Sequence, residues 1–397
     1  MAPLIIYIAG FRQHAGKTIT SLGLLYELQK IIPADKLGYI KPVGQELVEL
    51  TDGKKVDKDA LIIEKFGGIP DLDLECVSPV RLGSGFTKKF LSAQNQNEEK
   101  QKLKDMLSKA FAKLAGKSVI IAEGTGHPGV GGIVGWSNAD VCNLVKADII
   151  YLSGGGIGKA LDMLEVDLSY FKYKKNRLRG IIFNKLIPSK VDTVKNYISE
   201  DLLNRQFNFP DPVRIFGYFP EINDLFMPSM NVIKKRFSEP VSIGDSDSDK
   251  WKAPCSGIRV ISLPWKSLNP AKYLENKSLI LIGITSKITI MNIIKYQKRT
   301  LSRIANSGKN GIAGFILTCG DAYKIDPHLK KAIEESGIPA LIVNTDTAGA
   351  EKTILDCFES TKLQLYDSTK INEVRNLFTE HFDTEKFIDS FKIKDRL

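Results

Sequence analysis

Leu4-Ile5-Ile6-Tyr7-Ile8-Ala9 followed by Gly10-Phe11-Arg12-Gln13-His14-Ala15-Gly16-Lys17-Thr18 opens the chain. The first six residues are an apolar, β-branched run, the pattern of a buried strand. The next nine form a glycine-bounded loop ending in Gly-Lys-Thr, after which Ile19, Leu22, Leu25, Leu28 and Ile32 recur at helical spacing. Strand, loop and helix in this order make a phosphate-binding loop. Backbone N–H groups from Gly10 and from His14, Ala15, Gly16, Lys17, Thr18 and Ile19 are expected to face the phosphates of a nucleoside triphosphate. Lys17 reaches the β- and γ-phosphates, and Thr18 offers its hydroxyl to Mg2+.

The same alternation continues outward. Leu37-Gly38-Tyr39-Ile40 reads as a second strand running into Lys41-Pro42-Val43, and Lys117 to Glu123 as a third. Asp148–Leu152, Leu178–Asn184 and Val213–Tyr218 add three more, with helical segments between them. This predicts an α/β fold, a mostly parallel P-loop NTPase sheet flanked by helices. Ligands of such sheets sit beyond the carboxyl ends of the strands. Lys41 there is suited to a phosphate or a substrate carboxylate, or is a surface lysine at a strand end. Glu123 is placed to serve Mg2+, directly or through water. Asp57 reads as a helix N-cap and Asp59 as a first-turn carboxylate, which spacing alone makes structural. Asn184, with donor and acceptor on one amide, can read a base edge.

Two glycine-rich stretches resemble other signatures and are read differently. Gly124, Gly126 and Gly129 match a dinucleotide fingerprint, but Pro128 and the glycines after it offer no helix start, so the stretch is read as a loop over the site. His127 within it is expected to be a loop hydrogen-bonder. Ser153–Ala160 resembles a second phosphate loop, yet Ala160 stands where a hydroxyl should be, so it reads as a glycine-rich entry to a helix.

Composition narrows the class. A chain of 397 residues suggests two domains or more, and 43% hydrophobic with 26% charged residues is ordinary for a globular protein. No apolar run is long enough to span a membrane and no signal-peptide pattern is present, so the expected location is cytoplasmic. Five scattered cysteines, an odd number without close pairs, argue for reduced thiols. The net charge of +10 is spread among acidic residues, which reads as solvated helix faces and makes a nucleic-acid partner unlikely.

Residues 238–256, with Pro240 and the run Asp245-Ser246-Asp247-Ser248-Asp249, read as a linker or exposed loop. Residues 1–237 then form the nucleotide domain and 257–397 a smaller α/β domain. The latter holds the strand Leu279–Ile282, a basic amphipathic stretch to Ile304, the strand Gly314–Thr318 and the strand Pro339–Val343. Its final thirty residues read as charged helices suited to a dimer contact.

With Gly-x5-Gly-Lys-Thr, Lys41-Pro42-Val43, Asp59-Ala60-Leu61, Glu123-Gly124 and Asn184, the first 235 or so residues resemble dethiobiotin synthetase. The resemblance implies a homodimer that uses ATP and Mg2+ to activate a carbamate as a mixed anhydride that closes to a cyclic urea. It implies that Lys17 and Lys41 contact phosphate and substrate, that Thr18, Asp59 and Glu123 hold Mg2+, and that Asn184 binds adenine. Phe11, Gln13 and His14 in the loop, and Gln45 and Glu46 beyond Lys-Pro-Val, differ from that family. These are substrate-side positions, so a small carboxylate or carbamate of another kind is expected. Glu123 to Gly131 with Ser137-Asn138-Ala139-Asp140 is more similar to the N-terminal region of long phosphotransacetylases and its stand-alone relatives. In these a DRTGG domain follows, which residues 255–370 resemble. That resemblance implies the alternative, a nucleotide-sensing regulatory module.

Overall fold

The structure is a computed structural model that describes residues 2–303, 311–321, 323–360 and 363–396. It divides into two compact units, Met1–Ile222 with Ser368–Leu397, and Asn223–Asp367.

The first unit is built on six parallel strands: β1 (Leu4–Gly10), β2 (Leu37–Ile40), β3 (Val119–Glu123), β4 (Asp148–Gly154), β5 (Arg177–Leu186) and β6 (Arg214–Pro220). Their spatial order is β6-β5-β4-β1-β3-β2, every neighbouring pair parallel. Ile6, Tyr7, Ile8 and Ala9 of β1 are all fully buried. Both faces of this central strand are therefore covered, which is why its sequence is a continuous apolar run and does not alternate. The chain goes from β1 out to β2, returns to β3 and then crosses to β4 on the other side. The order reverses at β1, so a ligand crevice opens at its carboxyl end. There the chain turns into helix α1 (Lys17–Gln29), and after β2 helix α2 (Lys58–Phe66) begins with Asp57 as its N-cap, the Asp57 side chain accepting from the Asp59 N–H.

The second unit is a five-stranded sheet. Its strands are β7 (Val241–Ile243), β8 (Gly257–Val260), β9 (Ser278–Gly283), β10 (Gly314–Thr318) and β11 (Ala340–Ile342), in the order β7-β11-β10-β9-β8. Only β7 runs antiparallel. Along β9, Ile280 and Ile282 enter one buried cluster while Leu279 and Leu281 enter another, so this sheet too is covered on both faces. The basic amphipathic stretch forms the helix Lys287–Arg303; Ile304, its expected end, lies outside the described residues.

Two boundaries differ from the sequence reading. Residues 238–256 are not a linker: β7 pairs with β11, and Trp251 and Cys255 are buried in the second unit. The acidic Asp-Ser run drew attention away from the few apolar residues that decide the matter. The helices Ser368–His381 and Thr384–Ser390 belong to the first unit and not to the domain expected over 257–397. Phe378, Phe382, Phe387 and Phe391 pack with Phe216 and Phe219 of β6 in an aromatic cluster, ring centroids 5.0–6.4 Å apart. Gly23 on α1 leaves room for this: a Cβ there would lie 2.0 Å from the Phe378 ring. The Thr384 hydroxyl also donates to Glu27 Oε2 at 2.8 Å, tying the last helices to α1. No described helix is long and apolar enough to cross a membrane.

Phe378 is fully buried in this cluster. Phe378→Ala should cost the first unit about 3–5 kcal/mol by chemical denaturation, and Phe378→Leu clearly less. A loss below about 1 kcal/mol for the alanine variant would mean that the C-terminal helices do not hold α1.

Candidate functional site

The loop between β1 and α1 turns on two left-handed residues, His14 (φ 58°) and Gly16 (φ 94°). Gly16 is the N-cap of α1, and its carbonyl accepts from the Thr20 N–H at 2.9 Å. No side chain fits at Gly16, since a Cβ would lie 2.2 Å from Asn184 Nδ2. Gly10 is nearly as confined, its Cβ position 3.1 Å from Ala15 Cβ. Asn184, at the end of β5, donates from Nδ2 to the Ala15 carbonyl at 2.8 Å, while its Oδ1 accepts from the Lys185 N–H at 2.9 Å. Asn184 thus braces the loop through its amide. Ile19 is buried beneath the loop.

Beside the loop, four elements bring charged groups together. Lys17 and Thr18 start α1, Lys41 follows β2, Asp57 and Asp59 start α2, and Glu123 ends β3. Pairing of Ile8 with Glu123 and of Ile40 with Ala122 levels the strand ends, so these side chains meet. Thr18 Oγ1 lies 3.0 Å from Asp59 Oδ1 and 2.9 Å from Glu123 Oε1. Lys41 Nζ donates to Asp59 Oδ2 at 2.7 Å, to Glu123 Oε1 at 2.9 Å and to the Gly124 carbonyl at 3.3 Å. Glu123 Oε2 is within reach of the Tyr39 hydroxyl at 2.9 Å and of the Ser21 hydroxyl at 3.1 Å. Of the two alternatives for Lys41, the surface reading fails: the residue is 3% exposed.

Burial sets the electrostatics. Alone it would lower the Lys41 ammonium, but Asp59, Glu123 and Asp57 outweigh it and hold the pKa well above the ordinary lysine value. Burial raises Glu123, with Lys41 opposing and Asp59 reinforcing. Asp57 is pushed up to about 6, again by burial first, against the pull of Lys41. Asp57 also accepts from the Gln45 and Glu46 N–H groups at 3.0 and 3.2 Å, which fixes the chain after Lys41.

The donor set suits Mg2+. The Thr18 hydroxyl lies within 3.0 Å of one oxygen of Asp59 and one of Glu123, so three oxygens converge at one point. All the donors are hard oxygens. Mg2+ takes one or two carboxylates and completes its shell with phosphates and water. No group of three or more His, Cys, Asp or Glu able to hold a metal occurs among the described residues. Thr18, Asp59 and Glu123 would be its protein ligands.

The glycine-rich segment after β3 closes the crevice. Lys17 Nζ donates to the Arg12 carbonyl at 2.8 Å and to the Gly126 carbonyl at 3.3 Å. Thr125 donates its hydroxyl to the Val43 carbonyl. Asn138 holds the segment with four bonds: Oδ1 accepts from Tyr7 and from the Thr125 N–H, and Nδ2 donates to the Thr125 and His127 carbonyls at 2.8 and 2.7 Å. His127 accepts at Nδ1 from the Gly129 N–H at 3.2 Å, a loop hydrogen bond as expected. Gly156 caps the helix Ile157–Tyr173, so Ser153–Ala160 is a helix entry as read. Gln13 Nε2 lies 3.4 Å from Gln45 Oε1, bringing together two of the positions that set this chain apart from dethiobiotin synthetase. Sequence reasoning missed Ser21, Tyr39 and the role of Asn138. Ser21 lies one helical turn after Lys17, and Tyr39 points to the same strand face as Lys41, signals that spacing offered.

Comparison with known proteins places this architecture. No curated protein is significantly similar to the chain. Among solved structures, a ParA family ATPase from Chlorobium tepidum TLS aligns at 16% identity over 56% of this chain and 86% of its own, with a TM-score of 0.33. A plasmid partition protein from Borrelia burgdorferi B31, bound to AMPPNP, aligns at 14% identity over 57% and 90%, with a TM-score of 0.32. Residues 5–229, more than half of the chain, match the family described as AAA domain (AAA_26), and the chain belongs to this family of P-loop ATPases.

Proposed function

We propose that the protein binds ATP with Mg2+ at the β1–α1 loop and transfers the γ-phosphoryl group to a small carboxylate or carbamate, in the manner of dethiobiotin synthetase. The observation that carries this is the meeting of Lys41, Asp59 and Glu123, all buried, with the Thr18 hydroxyl at the sheet's switch point, Lys17 lying on the Gly126 carbonyl of the segment that follows Glu123. Phosphoryl transfer needs little covalent chemistry from a protein. It needs positioning, and positive charge where charge develops on the moving group. The loop's backbone positions the phosphates, and Lys17 and Lys41 supply the charge. Thr18, Asp59 and Glu123 would hold the metal, whose chemistry would be to offset negative charge on the phosphates. The acceptor would enter beside Gln13 and Gln45, whose amides lie 3.4 Å apart.

A second reading, nucleotide sensing, is favoured by one feature of connectivity. The second unit is inserted between β6 and the helix Ser368–His381, and both flanking elements pack in the aromatic cluster behind α1. A change at the phosphate loop would reach both tethers of the inserted unit.

ATP turnover measured with a panel of small carboxylates, with and without bicarbonate, separates the two. The transferase predicts turnover stimulated by one acceptor and reduced about a hundred- to a thousandfold by Lys17→Ala, the loss expected when a group acting mainly on the transition state is removed. Tight ATP binding without turnover in the presence of any acceptor would exclude the transferase and leave the sensor. Because burial raises Glu123, the Mg2+-dependent part of nucleotide affinity should weaken on acidification at a pH above that of an ordinary glutamate, near 4.5. A metal effect unchanged down to that value would contradict its assignment as a ligand.

A further inference from the structure

The crevice already contains a cation. Lys41 Nζ uses all three of its donors, on Asp59 Oδ2, Glu123 Oε1 and the Gly124 carbonyl. Thr18 Oγ1 addresses the same two carboxylates, and at Glu123 the same oxygen. The ammonium therefore sits on the Glu123 oxygen that faces Thr18 and on the second oxygen of Asp59, the two carboxylates a cation beside Thr18 would use. We infer that Lys41 is the resident counter-ion of the metal site and must leave Asp59 and Glu123 before a divalent cation can bind them, which makes metal loading conditional on the nucleotide. The inference rests on the ATP–Mg2+ reading above.

The physical argument is one of charge and burial. A unit positive charge and a divalent cation sharing carboxylates within about 3–4 Å repel strongly where water does not screen them. Lys41 is buried, so an ammonium displaced from its carboxylates cannot simply be hydrated and needs another anion. Free Mg2+ brings none. The phosphates of a nucleotide do, and they would arrive beside Lys17, which the Gly126 carbonyl holds two residues from the Gly124 carbonyl on Lys41. Lys41 would thus pass from holding the empty site together to facing the transferable phosphate, and the same event would open the carboxylates. Free divalent cation alone is refused. Lys41 is on this view a positioning residue in the empty protein and a charge-supplying one in the loaded protein.

The test uses the full chain and two readouts that do not depend on turnover. Mn2+ binding without nucleotide is followed by electron paramagnetic resonance in wild type and Lys41→Met. The variant should bind at least about tenfold more tightly, a low bound for removing a like charge at this range. Equal or weaker binding by a variant with wild-type circular dichroism would overturn the inference. Should Lys41→Met fail to fold, wild type labelled with 13Cε and 15Nζ lysine decides the matter, with the Lys41 signal assigned through Lys41→Arg. That signal should be unmoved by Mg2+ alone and displaced by Mg2+ with AMPPNP. Metal binding with AMPPNP while the Lys41 signal stays where it was would refute the exchange and leave the ATP–Mg2+ reading standing. Failure of Mn2+ to bind wild type even with AMPPNP would sink that reading, and the inference with it.

Discussion

The buried ion cluster of Lys41 with Asp59 and Glu123 constrains the rest of the first unit. Charges out of water are tolerated only when paired at close range with their remaining hydrogen bonds met. Here the pairing requires β2, β3, α1 and α2 to end at one place, because each supplies a member. Tyr39 and Ser21 satisfy the far oxygen of Glu123, and Asp57 anchors the turn after Lys41 through two backbone N–H groups. Such a cluster adds little net stability compared with an apolar core of the same volume, so stability alone does not account for it. Charge kept dry beside a phosphate loop is what electrostatic catalysis or ligand sensing requires.

The loop and the cluster depend on different parts of the fold. The loop is braced by Asn184 from β5, on one side of β1, and the cluster is assembled by β2 and β3, on the other. The nucleotide crevice therefore lies at the central strand, where the two halves of the sheet meet. Behind it, α1 is held by the C-terminal helices through Phe378 at Gly23 and Thr384 at Glu27. The C-terminal helices thus support the middle and later turns of the helix that starts at the phosphate loop.

Much of this was legible in the sequence, for definable reasons. The six strands of the first unit are short apolar runs covered on both faces, and the run Leu37–Ile40 coincides with β2. Glu123 was legible because a carboxylate after four apolar residues, Val119 to Ala122, marks a strand end. Asp59 was not: first-turn acids are common for helix-dipole reasons alone, and only the fold brings it to Thr18 and Lys41. Asn138 was hidden because its four partners lie on other segments, two of them backbone carbonyls. The domain boundaries misled for a related reason. Composition over 238–256 is polar, while three residues, Ile243, Trp251 and Cys255, fix its burial. The phenylalanines of the last thirty residues gave no sign in their own spacing that their partners are Phe216 and Phe219.

Thr18, Asp59 and Glu123 are proposed as one metal site which a nucleotide completes. Isothermal calorimetry of AMPPNP binding, with Mg2+ and with chelator, in wild type and in Asp59→Asn tests it most directly. The account predicts that Mg2+ strengthens binding to wild type and that this gain is largely lost in Asp59→Asn while metal-free binding persists. Equal affinity with and without Mg2+ in wild type, or an undiminished Mg2+ gain in the variant, would contradict it.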